Sequence, residues 1–105
     1  IAEFEVAVRK EPNNSEYLRG LGWAVRRTGD KAKGLAYLHR AIDLAPTNVN
    51  ILTDLAAAYL SDFQFHKARE YAEKATQLDP TSSIAREVLD EINRLQRDHR
   101  RFGEP

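Results

Sequence analysis

Residues 15–48, SEYLRGLGWAVRRTGDKAKGLAYLHRAIDLAPTN, run without a gap into residues 49–82, VNILTDLAAAYLSDFQFHKAREYAEKATQLDPTS, and the second stretch rewrites the pattern of the first. Leu21 and Leu55, Tyr37 and Tyr71, Ala41 and Ala75, Leu44 and Leu78, and Pro46 and Pro80 are pairs with one and the same separation, the length of one stretch, and no insertion disturbs it. A fixed period of about 34 residues marks a supersecondary unit that buries its apolar face by stacking on copies of itself. Working outward, Phe4, Ala7 and Pro12 lie one period before Leu38, Ala41 and Pro46, so the chain opens inside the second half of an earlier unit.

Each unit reads as two helices. Leu18, Leu21, Gly22 and Val25, and then Leu52, Leu55, Ala56 and Tyr59, follow the i, i+3, i+4, i+7 spacing of one helical stripe. Gly29-Asp30 supplies a turn residue and an N-cap, after which Gly34, Leu35, Tyr37, Leu38, Ala41, Ile42 and Leu44 form a second amphipathic stripe. Ala45-Pro46 ends it, because proline disfavours helical geometry in the residue before it, and Thr47-Asn48 can cap the helix that follows. Asn13-Asn14-Ser15 fits a glycosylation sequon, but its position before a helix reads more simply as capping.

In the second unit Phe63-Gln64 replaces the turn pair. Phe65 is expected to pack between helices, whereas Phe63 either anchors the loop or contacts another chain. The small residues Gly22, Ala56, Gly34, Ala68, Ala41 and Ala75 fall where neighbouring helices should approach closely, and enlarging them should overpack the contact.

The run Leu18-x2-Leu21-Gly22-x2-Val25, followed by Gly34-x3-Leu38-x2-Ala41-x4-Pro46, resembles the tetratricopeptide signature, with Leu18 where the family usually has Trp and Gly34 where it usually has Ala. The copy from Leu52 to Pro80 matches with Ala56 in place of the Gly. The resemblance implies an all-α fold, a right-handed α-solenoid of helix-turn-helix repeats. Residues 1–14 would be the second helix of a truncated preceding repeat, 15–48 repeat 1 and 49–82 repeat 2.

From Ser83 the pattern changes. Ile84, Ala85, Val88, Leu89, Ile92 and Leu95 keep an apolar face, but Asp90 takes the place of Gly22 and Ala56, where no further helix can nest. Glu87, Asp90, Glu91, Arg94, Arg97 and Asp98 supply the polar outer surface that a terminal repeat needs. Residues 83–101 therefore read as a C-terminal capping helix and 102–105 as a tail. The arginines Arg94, Arg97, Arg100 and Arg101 oppose the dipole at its C-terminus.

Sixteen basic and sixteen acidic side chains cancel, leaving no global field to draw in nucleic acid or an anionic membrane. Cysteine is absent, which removes disulfides and thiolate chemistry. No run approaches the roughly 18 apolar residues of a membrane span, so no membrane insertion is expected. With Ile1 first and no methionine, the chain is expected to be a segment of a longer protein.

Enzyme signatures are missing. His39, His66 and His99 are far apart, form no HExxH-like ligand pattern and read as solvent-facing helix residues. Gly20-Leu21-Gly22 imitates the start of a dinucleotide-binding loop, but the third glycine is absent and the segment is helix interior. Neither a cofactor, a metal nor a catalytic residue is expected.

The resemblance implies a groove lined by the first helix of each repeat that holds a segment of a partner protein. On repeat 1 that face should carry Arg19, Trp23, Arg26 and Arg27, with Glu16, and on repeat 2 Asn50, Thr53, Asp54 and Ala57, with Leu60 and Ser61. Trp23 lies outside the apolar stripe. It either stands in the groove as an anchor or packs on an adjacent helix or the upstream repeat. Aromatic and arginine side chains together compose a binding hot spot, and Arg19, Arg26 and Arg27 would favour an acidic or carboxylate-bearing peptide; the plainer reading of the three is a solvated charged face.

Chaperone-binding members of the family clamp a C-terminal carboxylate with lysine and asparagine. The matching places here hold Arg19, Trp23, Asp54, Ile84 and Val88, so that clamp is not preserved. Two further readings stand beside peptide binding. One is a scaffolding element that forms a homo-oligomer through the open N-terminal end at Ile1, Phe4 and Val8; the other is the regulatory arm of a larger enzyme.

Overall fold

The computed structural model describes residues 1–103, with the side chains described as far as Asp98. Among the described residues the secondary structure is entirely helical: α1 (Ala2–Lys10), α2 (Ser15–Arg27), α3 (Lys31–Leu44), α4 (Val49–Ser61), α5 (Phe65–Leu78) and α6 (Ser83–Gly103). The chain is an all-α helical repeat. It divides into two compact units, residues 1–51 and the residues from Leu52 onward, with the boundary inside the first turn of α4.

The period is visible in the helix ends. Asn14 Oδ1 accepts the Tyr17 N–H at 3.1 Å, Asn48 Oδ1 the Ile51 N–H at 3.1 Å, and Ser82 Oγ the Ala85 N–H at 3.2 Å, so one capping bond recurs once in every period. The C-caps recur likewise: Glu11, Ala45 and Asp79 each precede a proline and hold φ of −134°, −138° and −140°. Asp30 caps α3 by accepting the Lys33 N–H at 3.1 Å, whereas Gln64, its counterpart before α5, makes no side-chain capping bond.

In the first unit α2 packs on α3 and α1 packs on α2. Leu18, Leu21 and Val25 of α2, with Leu38, Ala41 and Ile42 of α3, are buried. The crossing of α2 and α3 runs through glycine. A Cβ on Gly34 would lie 2.5 Å from the Gly22 carbonyl oxygen and one on Gly22 would lie 2.9 Å from the Gly34 carbonyl oxygen, so the two backbones meet directly. Gly20 has a role that periodicity did not reveal: the Phe4 ring lies against its backbone and fills the space that a Cβ would need.

The second unit buries Leu52, Leu55, Ala56, Ala58 and Tyr59 of α4, Ala68, Ala72 and Ala75 of α5, and Ala85 and Ile92 of α6. Tyr59 and Tyr71 stack with ring centroids 5.7 Å apart. Burial, and then the carboxylates of Glu70 and Asp62, raise the Tyr59 phenol above its ordinary range. Between α5 and α6 the Arg69 guanidinium donates to Asn93 Oδ1 at 2.6 Å. Ile84, read as part of the apolar face of α6, is exposed instead, as are Leu44 and Leu78 near the ends of α3 and α5.

The turn before α5 departs from its partner. Gly29 sits at φ +101°, and its counterpart Phe63 adopts φ +59° with its side chain 73% exposed. Phe65 is half-buried, and its ring meets Phe63 edge-on at 6.5 Å.

Candidate protein-interaction surface

The stripe of Leu18, Leu21 and Val25 fixes which way α2 faces, and Arg19, Trp23 and Arg27 fall on the other side. Arg19 is half-buried. Its Nη1 lies 3.2 Å from Glu16 Oε2, and Glu16 Oε1 accepts from Asn48 Nδ2 at 3.4 Å. Glu16 thereby joins the face of α2 to the residue that caps α4, and it neutralises part of the Arg19 charge.

Trp23 is half-buried and Arg27 exposed. Arg26 differs from the expectation for it: it is only 8% exposed, and its Nη1 donates to the Lys31 carbonyl at 3.2 Å. Its stem passes close over Gly34 and its guanidinium carbon lies 5.9 Å from the centre of the Trp23 ring. Arg26 therefore ties α2 to the start of α3 and supports Trp23 from beside it through a cation–π contact.

On α4, Asn50 is exposed, Asp54 and Ala57 are half-buried, and Thr53 is 6% exposed. Thr53 is a second departure. The apolar arc of α4 is wider than the single stripe, because Ile51 and Ala58 are buried along with Leu52, Leu55, Ala56 and Tyr59. Thr53 lies on the other flank of the stripe, next to Ala56, and is buried there. Asn50 belongs to the first unit and Thr53, Asp54 and Ala57 to the second.

His39 is half-buried and His66 exposed, while the side chain of His99 lies outside the described residues. Among the described residues no three His, Asp or Glu side chains converge in a way that could hold a metal ion. No helix among them is long and apolar enough to cross a membrane.

The pattern of the tetratricopeptide repeat matches residues 49–82. The chain carries a tetratricopeptide repeat. Two curated proteins resemble it. One is anaphase-promoting complex subunit 3 of Schizosaccharomyces pombe, 27% identical over 91% of this chain and 14% of that protein. The other is the heat-shock protein cognate co-chaperone sgt12 of Aspergillus fumigatus, 37% identical over 68% of this chain and 21% of that protein. The chain thus spans less than a quarter of the length of either.

Solved structures share the fold. The tetratricopeptide-repeat domain of Sgt2 from Aspergillus fumigatus aligns over 97% of this chain and 69% of its own, with a TM-score of 0.83 at 21% identity. MamA aligns over 89% of this chain and 54% of its own, with a TM-score of 0.78 at 22% identity. Tetratricopeptide-repeat domains generally mediate protein–protein interaction.

Proposed function

We propose that this chain is a non-catalytic interaction module, and that the face of α2 carrying Trp23 and Arg27 binds a peptide segment of a protein partner. The observation that carries the reading is Trp23 itself. A large aromatic side chain is left incompletely buried, outside the apolar stripe of its helix, with one arginine beside its ring and an exposed one next along the chain. Aromatic and arginine anchors dominate interface energies.

Arg27 supplies an exposed guanidinium for a carboxylate, and Arg19 shares its charge with Glu16. Arg26 acts as support and not as a ligand. Asn50 is the further candidate contact in the same unit; Asp54 and Ala57 are candidate contacts on the second unit taken by itself, where Thr53 is buried. A protein partner suits the relatives, one named as a subunit of a complex and the other as a co-chaperone.

Calorimetric titration with acidic peptides tests the reading. Trp23→Ala should weaken binding by about 2 kcal/mol, roughly thirtyfold, as truncating an interface anchor does. Arg27→Glu should weaken it about tenfold, and less at high salt. Unchanged affinity in both variants would remove the proposal.

Self-association is a second reading, favoured by Ile1, Phe4 and Val6, which stay exposed on or beside α1. Light scattering that shows a single monomeric mass across a wide concentration range would dismiss it.

A further inference from the structure

Away from Trp23, the first unit holds a cleft of about 340 Å³ between α1 and α3. Its floor is Leu21, buried on α2, and its walls are Val8 and Tyr37, both half-buried. Arg9, Lys33 and Arg40 stand exposed around the rim, against one lining carboxylate, Glu5. Two helical stripes build it: Glu5, Val8 and Arg9 at i, i+3, i+4 on α1, and Lys33, Tyr37 and Arg40 at i, i+4, i+7 on α3. Leu21 is two residues from both Arg19 and Trp23, about 200° around α2 at about 100° per residue, so this cleft and the Trp23 face occupy opposite sides of that helix.

The α3 stripe has a counterpart on α5. Lys67, Tyr71 and Lys74 stand one period after Lys33, Tyr37 and Arg40. The cation–ring pair recurs, with the Arg40 guanidinium carbon 5.8 Å from the Tyr37 ring centre and Lys74 Nζ 5.4 Å from that of Tyr71. On α5, however, Lys74 Nζ also lies 3.7 Å from Glu70 Oε1, and Glu70 and Glu73 occupy the places that Ala36 and His39 hold on α3. Carboxylates are thus interleaved within the stripe of the second unit, whereas in the first they stand beyond its two ends, at Asp30 and Asp43, where the second has Gln64 and Gln77.

We infer that this cleft is a second docking site, for an acidic peptide segment carrying an apolar side chain. The apolar group seats on Leu21 between Val8 and Tyr37, and flanking carboxylates meet Arg9, Lys33 and Arg40. The complementarity is of charge at the rim and of apolar surface at the floor, and the volume suits one or two side chains. The site does not depend on the Trp23 face.

The test uses a dye-labelled peptide of alternating Glu and Leu residues, with fluorescence anisotropy at low salt. In a Trp23→Ala background, which removes the α2 anchor, the peptide still binds, and adding Lys33→Glu and Arg40→Glu weakens it by about tenfold or more. Arg86→Glu with Arg97→Glu on α6, a double reversal of equal size at exposed residues elsewhere, changes affinity less than about twofold. The same peptide with Gln for Glu binds about tenfold more weakly than the acidic one. Lys33→Gln with Arg40→Gln, checked by circular dichroism, replaces the double reversal if that variant does not fold.

Loss of all binding on Trp23→Ala alone would overturn this inference and leave the α2 reading standing. Loss on the cleft variants with no effect of Trp23→Ala would do the reverse. Binding within twofold in the cleft variants, equal binding of the Gln peptide, no binding of the acidic peptide, or a concentration-dependent dimer abolished by the cleft variants would each overturn the proposal.

Discussion

Arg26 and Phe63 show how a single position can depart from the pattern around it. By spacing, Arg26 belongs with Arg19, Trp23 and Arg27, yet its guanidinium reaches the Lys31 carbonyl across the turn and leaves the surface. A buried cation with a charge-assisted bond to a turn carbonyl is part of the fold. Phe63 takes φ +59° where Gly29 takes the glycine region, and a left-handed backbone costs an ordinary side chain about 1–2 kcal/mol. The Phe63–Phe65 edge contact, mostly exposed, returns only part of that. Phe63→Gly should therefore stabilise the fold by about 0.5–1 kcal/mol, read as a higher urea midpoint with an unchanged slope.

At the scale of helices and turns, most of the architecture was legible because it rests on short-range chemistry repeated in register. Asn14, Asn48 and Ser82 cap, and Pro12, Pro46 and Pro80 stop, at one period, and these residue types act within a few positions of themselves. Asn48→Ala should accordingly cost about 1 kcal/mol in thermal or urea unfolding.

The helix crossing was legible only in outline. Gly22 and Gly34 were expected at a close approach, but periodicity gave neither the direct meeting of their backbones nor the seat of Phe4 on Gly20. Gly34→Ala would bring a methyl to 2.5 Å from the Gly22 carbonyl oxygen, backbone that cannot rotate away. It should destabilise by about 1–3 kcal/mol, even though Ala68 occupies the matching place of the second repeat without solvent exposure. Chemical denaturation of the single variant checks this.

For the whole molecule, function was less legible than fold. A face of α2 opposite an apolar stripe could be named from sequence, but which of its arginines the fold would consume could not, since that depended on the reach of Arg26 to a carbonyl five residues on. Thr53 escaped for a similar reason: α4 is buried on both flanks of its stripe, at Ile51 and Ala58 on one side and at Thr53 on the other, a property of packing and not of spacing. The cleft at Leu21 was invisible because its stripes come from two helices separated by a third. What remains on the α2 face is compact: one tryptophan, an exposed arginine and a second arginine shared with Glu16.

Because Trp23 is the sole tryptophan of the chain, its own emission reports on the surface proposed to bind. Adding an acidic peptide to saturation, as judged independently by calorimetry, should shift that emission to shorter wavelength as the rest of the half-buried ring is covered. Emission unchanged at saturation would show that the partner seats elsewhere and would contradict the assignment of the α2 face.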